Sequence, residues 1–218
     1  MERFRSNKVR VIHAYDNQIV KAYCTVRFLI MNMRILEEIG QYLPKSGRIL
    51  DVGCGFGLFT LYYALESKDR HFTSLDIDKK RILMAQKAAE SLNIRNQVSF
   101  ITCPAQEIER MEDSFSGAYM LDLLHHLPQG CLRRLLTNLH RLLDKGGILI
   151  VKDIATSPRW KKWFTGLADL AIWPSMPPHY VDVQTLCYEL ERVGFDVKIH
   201  TLLDILPYPH VMYICRKL

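Results

Sequence analysis

Two kinds of apolar pattern follow one another along the chain: short solid runs, and longer stretches with apolar residues three and four apart. The first kind reads as buried strands, the second as amphipathic helices. Runs at 48–52 (RILDV), 71–77 (HFTSLDI), 97–102 (QVSFIT), 117–124 (GAYMLDLL) and 148–154 (ILIVKDI) predict five strands, with a closing pair at 195–202 and 210–217. Between them, 57–67 and 78–94 carry helical spacing, the latter through Ile82, Leu83, Ala85, Ala89 and Leu92. Leu132, Leu135, Leu136, Leu139, Leu142 and Leu143 predict a strongly amphipathic helix, with Gly146 or Gly147 as its stop. One helix is expected over 17–42, ended by Pro44 and Gly47, and a last one over 182–193. Strands alternating with helices predict an α/β fold, a doubly wound and mostly parallel sheet with helices on both faces. Ligands in such sheets lie at the carboxyl ends of the strands, near the switch in strand order.

The first strand runs into ILDVGCGFG, residues 49–57, with glycines at 53, 55 and 57. Glycine removes Cβ, so the chain can turn with positive φ and lie against a ligand. The helix that follows offers unpaired N–H groups and a positive dipole end. The spacing is G-x-G-x-G, and Leu58 follows Gly57, so this is not the dinucleotide fingerprint. Asp51 ahead of the turn suits an ammonium group better than a pyrophosphate. A ligand with both an amine and a carboxylate fits best. Asp76 stands 21 residues beyond Gly55 at the end of the second strand, where an acidic side chain accepts hydrogen bonds from ribose hydroxyls. Asp78 is the better helix cap. An amino acid joined to a ribose describes S-adenosylmethionine.

Composition narrows this little. The chain has 218 residues, 49% of them hydrophobic and 24% charged, which suits one domain with a real core. The net charge of +6 permits a polyanion, an anionic membrane surface or an acidic substrate without choosing among them. Six scattered cysteines with no C-x-x-C pair read as free thiols, and with no signal peptide the expected location is cytoplasmic. The early apolar stretch CTVRFLIMNMRIL is broken by Arg27 and Arg34, so it reads as a packed helix and not as a membrane span.

With ILDVGCGFG, TSLDID, MLDLLHHLP (120–128) and LLDKGGILIVKD (142–153) in view, residues 45–156 resemble the class I S-adenosylmethionine-dependent methyltransferases. They are closest in style to the small-molecule group whose fourth strand runs into LHHLP. The resemblance implies a Rossmann-like, seven-stranded sheet with an antiparallel last strand and S-adenosylmethionine as cofactor. It implies a cofactor site of Asp51, Gly53, Cys54, Gly55, Gly57, Asp76, Ile77, Pro104, Ala105, Gln106 and Leu121. Pro104 departs from the pattern, standing where the family has an acidic residue that reads the adenine amine. Asp122, His125 and His126 are the catalytic candidates, histidine being a natural base for a hydroxyl nucleophile. The same three match an acid-x-x-acid-His cluster that in ubiquinone-biosynthesis O-methyltransferases is linked to a divalent metal, with histidine here replacing one carboxylate. Both readings stay open, and no residue is assigned to a metal.

The flanks bear on the acceptor. Residues 1–44 read as an N-terminal helical lid, and 45–218 as the cofactor-binding domain with a lid insertion at about 156–180. Trp163 shares a helical face with Phe164, Leu167 and Leu170, beside Lys161 and Lys162. That composition fits an ordinary lid helix, and equally an interfacial helix at the inner face of the membrane. Tyr23, Asp153, Trp163, His179 and Tyr180 are the candidate substrate contacts, and Tyr15 and Tyr23 are placed over the cofactor. The expected function is methylation, by preference on oxygen, of a hydrophobic small molecule or lipid-like acceptor. A nucleic-acid methyltransferase is disfavoured, since no N-P-P-Y turn follows strand four and no RNA-binding domain is attached. A non-catalytic S-adenosylmethionine-binding protein is the other alternative.

Overall fold

A computed structural model describes residues 2–128, 130–154, 181–201 and 210–218. The elements run α1 (Glu2–His13), α2 (Gln18–Ile30), α3 (Met33–Tyr42), β1 (Gly47–Val52), α4 (Leu58–Glu66), β2 (Arg70–Asp76), α5 (Lys79–Ser91) and β3 (Val98–Thr102). They continue with β4 (Phe115–Leu121), α6 (Leu132–Leu142), β5 (Leu143–Ile154), α7 (Val183–Val193), β6 (Phe195–Thr201) and β7 (His210–Lys217). The seven strands form one sheet in the order β3-β2-β1-β4-β5-β7-β6. β1 pairs in parallel with β2 and β4, β2 with β3, and β4 with β5; β7 runs antiparallel to both β5 and β6. The expected α/β sheet is present, with its strand order reversing between β1 and β4.

Each face of the sheet carries its own apolar layer. On one face, α1 to α5 close over Ile49, Phe72, Tyr119 and Ile150. On the other, α6 and α7 close over Leu50, Ala118, Leu149 and Val151. Alternate residues of one strand feed opposite layers, as pleating requires, so runs buried on both sides look uniformly apolar in sequence.

Three element boundaries differ from the pattern. The helix expected over 17–42 is two helices. Asn17 caps α2 by accepting from Ile19 and Val20 N–H, and Asn32 caps α3 by accepting from Arg34 and Ile35 N–H. A second asparagine cap stops and restarts the chain where the apolar spacing ran on unbroken. A further helix, α1, precedes the first one that the apolar spacing marks, and its Val11 is fully buried. Gly146 and Gly147 do not end α6. That helix stops at Leu142, Leu143 pairs with Phe115, and the register then shifts to Gly117 opposite Ile148. The two glycines sit in that irregular start of β5, Gly146 at φ 75°.

Candidate active site

At the carboxyl ends of β1, β2, β4 and β5 lies a cavity of about 480 Å³. Its size falls within the range of small-molecule pockets, ~300–1,000 Å³. The glycine turn, the ends of β2 and β4, and the inner side of α2 all line it.

The turn is built by positive φ. Gly53 has φ 80°, Gly55 57° and Gly57 76°. The three glycines do different work. A Cβ on Gly55 would meet nothing within 4 Å, so its bare backbone faces the cavity. A Cβ on Gly53 would strike Leu123 at 2.7 Å, and one on Gly57 would strike Phe100 at 2.6 Å. Gly57 does not line the cavity; it lets α4 start against the β3 layer. Packing alone therefore demands a glycine at this position.

Asp76 is buried, and each carboxylate oxygen takes one backbone bond. Gly55 N–H donates to Oδ2 at 2.8 Å and Asp78 N–H to Oδ1 at 2.9 Å. A carboxylate oxygen has a second lone pair, so both can still accept from a ligand hydroxyl. Asp78 caps α5, as its position suggested. Asp51 lies beneath the turn, where Thr60 Oγ1 (2.5 Å) and Tyr119 OH (2.8 Å) donate to its Oδ2. Burial pushes its carboxyl up to about 7, against the pull of those two hydroxyls. Cys54, Ile77, Ala105, Gln106 and Leu121 line the cavity as expected, and Ile77 is 70% exposed there, an apolar face unused by the core. Pro104 does not line it; this residue precedes the 3₁₀ turn Ala105–Arg110 and sets where Ala105 and Gln106 point.

The residues after β4 do not act as one cluster. His125, 2% exposed, has its Nδ1 2.6 Å from Asp153 Oδ1, and the same oxygen accepts from Ile154 N–H at 2.8 Å. Asp153 is thus a partner of His125 and not a substrate contact, which corrects that expectation. His126 lines the cavity with its ring centroid 4.1 Å from that of His125. Asp122 adopts φ 56°, a left-handed position uncommon outside glycine. Lys152 Nζ (2.5 Å) and Arg27 Nη2 (2.9 Å) both hold its carboxylate. Burial opposes ionisation of Asp122, but these two cations hold its carboxyl far below the usual range. A carboxylate so held is a poor proton acceptor. Among the described residues, no group of three or more histidine, cysteine or acidic side chains is placed to hold an ion.

The N-terminal helices form the roof. Tyr23 lines the cavity with its ring edge-on to Phe56, 5.2 Å between centroids. Tyr15 is buried and donates to the Phe56 carbonyl at 2.8 Å, tying the start of α2 to the glycine turn. Trp163, His179 and Tyr180 fall outside the described residues, as does the whole expected lid insertion. Residues the sequence reading did not select include Arg27, Lys152, His210, Phe56 and Ile154. A signal existed for Lys152, the one cation inside the apolar run ILIVKDI. No local signal marks Arg27 or His210, because distant elements bring them in.

The segment that carries the glycine turn and the acidic end of β2 has a counterpart among known proteins: the family described as "Methyltransferase domain" matches residues 49–147. Residues 49–147 thus resemble a methyltransferase domain. The chain is 35% identical over 123 residues to the O-methyltransferase rstn1 of Aspergillus nomiae, covering 56% of this chain and 53% of that protein. It is 28% identical over 127 residues to the 27-O-demethylrifamycin SV methyltransferase of Amycolatopsis mediterranei, covering 57% and 46%. The chain thus spans about half the length of these curated relatives. Among solved structures, an O-methyltransferase family protein from Burkholderia thailandensis superposes with a TM-score of 0.72 at 12% identity, covering 87% of this chain and 57% of that one. That likeness concerns the fold. The matched segment contains the glycine turn, Asp76, Asp122, His125 and His126. Arg27, Lys152 and His210 lie outside it.

Proposed function

We propose that the chain transfers the methyl group of S-adenosylmethionine to a hydroxyl of a hydrophobic small molecule. One observation carries this reading: a single cavity joins a backbone-lined, carboxylate-anchored cradle to a buried histidine–aspartate pair. The residues fit the cofactor. Gly53 and Gly55 admit its amino-acid end, Asp76 receives the ribose hydroxyls, and Ile77, Ala105 and Gln106 offer an apolar face and amide groups to the adenine. When bound, the cofactor supplies an activated methyl group on a sulfonium.

The chain's own residues position the acceptor and remove a proton. With Asp153 accepting from His125 Nδ1–H, the ring's proton-accepting nitrogen is Nε2. Asp153 also stabilises the imidazolium that forms once the acceptor hydroxyl gives up its proton. The matched relatives named as O-methyltransferases support oxygen as the acceptor atom. Val26, Ile30, Phe59 and Ile154 give the acceptor half apolar walls. They favour a greasy acceptor, and the expulsion of water raises the pair's effect.

The test is calorimetric titration of the purified protein with S-adenosylhomocysteine, followed by an assay of S-adenosylhomocysteine release on a panel of aromatic and polyene hydroxy compounds. Binding and turnover on at least one compound are expected. Absence of S-adenosylhomocysteine binding would overturn the reading. Among the described residues no helix is long and apolar enough to cross a membrane. The segment that suggested peripheral contact lies outside them.

A further inference from the structure

Beneath the glycine turn, buried hydroxyls converge on one carboxylate. Asp51 stands on β1 in register with Ser74 on one neighbouring strand and with Tyr119 on the other. Thr60 reaches the same point from α4. The Tyr119 hydroxyl donates to Asp51 Oδ2 at 2.8 Å, and the Thr60 hydroxyl donates to the same oxygen at 2.5 Å. Ser74 Oγ lies 2.9 Å from Thr60 Oγ1. A hydroxyl has one proton to give. With that of Thr60 spent on the carboxylate, Ser74 is the donor, and the chain runs from Ser74 through Thr60 to Asp51. Thr60, Ser74 and Tyr119 are fully buried, and Asp51 is 4% exposed.

Packing does not ask for polar groups here. The surrounding layer is apolar and aromatic, and the Tyr119 ring sits edge-on to Tyr63 at 6.0 Å and to Phe72 at 6.5 Å between centroids. A buried hydroxyl costs free energy unless it is bonded, and an apolar residue of the same shape would avoid that cost. Both donors select Oδ2, which leaves Oδ1 for a ligand. Asp51 lines the cavity, whereas Thr60 and Tyr119 do not. The other ionisable groups that face Asp51 are Asp76 from β2, Cys54 from the turn, Tyr63 from α4 and Tyr119 from β4. Burial raises Cys54, Tyr63 and Tyr119 well above their ordinary values, so none of them is charged near neutral pH. Burial opposes ionisation of Asp51, the Thr60 and Tyr119 hydroxyls favour it, and the Asp76 charge opposes it.

We propose that Tyr119 and Thr60 are positioning residues for the cofactor: their hydroxyls fix one oxygen of Asp51, keep the other for the cofactor's ammonium group, and so set how tightly its amino-acid end is held. This rests on the methyltransferase reading and adds to it two residues that touch no ligand. A carboxylate fixed before the ligand arrives loses little freedom on binding. The two hydroxyls also favour the ionised form, the one that attracts an ammonium. Removing either donor therefore moves the onset of tight binding to higher pH.

Two ligands test this: S-adenosylhomocysteine, and 5′-methylthioadenosine, which has the same adenine, ribose and thioether without the amino-acid end. Each is titrated calorimetrically into parent and variant protein across a range of pH. In the parent, S-adenosylhomocysteine affinity is expected to rise through neutral pH, and 5′-methylthioadenosine affinity to stay level. Tyr119→Phe is expected to weaken S-adenosylhomocysteine by roughly 3–10-fold at neutral pH, the scale of one lost bond to a charged acceptor. The loss is expected to shrink as pH rises, with 5′-methylthioadenosine affinity that of the parent. Thr60→Val is expected to act in the same direction, and Thr60→Ser, which keeps the hydroxyl, to retain the parent profile. If both variants weakened the two ligands equally, or weakened S-adenosylhomocysteine by one factor at every pH, the hydroxyls would be structural only and the proposal overturned. Unchanged S-adenosylhomocysteine affinity in both variants would overturn it as well. Should Thr60→Val fail to fold, Tyr119→Phe, which deletes one oxygen, decides alone. A parent protein that binds neither ligand would bring down the methyltransferase reading and this proposal together; one that binds both leaves only the positioning role at stake.

Discussion

The two halves of the cavity are made in opposite ways. The half under the glycine turn is made mostly of backbone and local side chains. Gly53, Gly55, Asp76, Ile77 and Ala105 each stand at or just past the end of a strand, and the turn is tied to β2 by Gly55 N–H on Asp76. The acceptor half is made of side chains brought from far apart. Arg27 and Asp122 are 95 residues apart, Lys152 is 30 beyond Asp122, and His210 comes from the antiparallel β7. A site of the first kind can be carried intact from one protein to another, because strand–turn–helix geometry preserves it. A site of the second kind can change with every substitution in the lid or the last strands. The family match takes in the glycine turn and Asp76 together with Asp122, and ends at residue 147, before Lys152.

Substitutions can break the comparison. The largest effect is expected from His125→Ala, which removes the proposed proton acceptor. Turnover should fall about 10²–10⁴-fold, the scale of general-base catalysis, with S-adenosylhomocysteine affinity unchanged by calorimetry. Asp153→Asn should fall in the same direction but less steeply. It should also shift the pH–rate profile, since the imidazolium loses its carboxylate; an unchanged profile would leave Asp153 a merely structural residue. Asp76→Ala should do the reverse. S-adenosylhomocysteine affinity should weaken by roughly 100-fold, as expected for losing bonds to a charged acceptor of about 1.5–3 kcal/mol, while circular dichroism stays that of the parent. If that substitution altered only turnover, the two halves would not be separable.

Gly57→Ala should act on neither half's chemistry. Positive φ and the approach to Phe100 should lower stability by about 1–3 kcal/mol in denaturant unfolding. The smallest effect concerns pH. Asp51, held up to about 7 by burial, is mostly protonated below that value. The folded state therefore binds a proton that the unfolded chain releases at lower pH, and this group's contribution to stability falls as pH rises from about 4 through 7. An ammonium group bound beside Asp51 reverses the preference, since it favours the ionised carboxylate. S-adenosylhomocysteine affinity should rise as pH passes from 6 to 8, by at most about tenfold per unit, and Asp51→Asn should flatten the dependence.

The same division governs what could be read in the sequence. Strand and helix order, the glycine turn, Asp76 and the cap at Asp78 were all legible, because each is specified by residues within a few positions of one another. The break between α2 and α3 was not, since Asn32 adds a cap inside continuous helical spacing. Nor was the sorting of the three glycines, because Gly57 owes its character to Phe100 and Ala85 on other elements. Asp122 and Asp153 were legible as candidates, but their partners were not. The first is neutralised by cations from α2 and β5, and the second faces a histidine 28 residues earlier. Only the sheet's register decides such pairings.

Helix α2 is a beam fixed at both ends. Just before its first turn the Tyr15 hydroxyl grips the Phe56 carbonyl, and in its last turn Arg27 grips Asp122. A beam so anchored cannot swing outward as a unit without releasing both clamps together. The width of the acceptor chamber along this wall is therefore set by the bulk of Tyr23, Val26 and Ile30, and trimming any one of them should admit longer or broader molecules while the frame stays put.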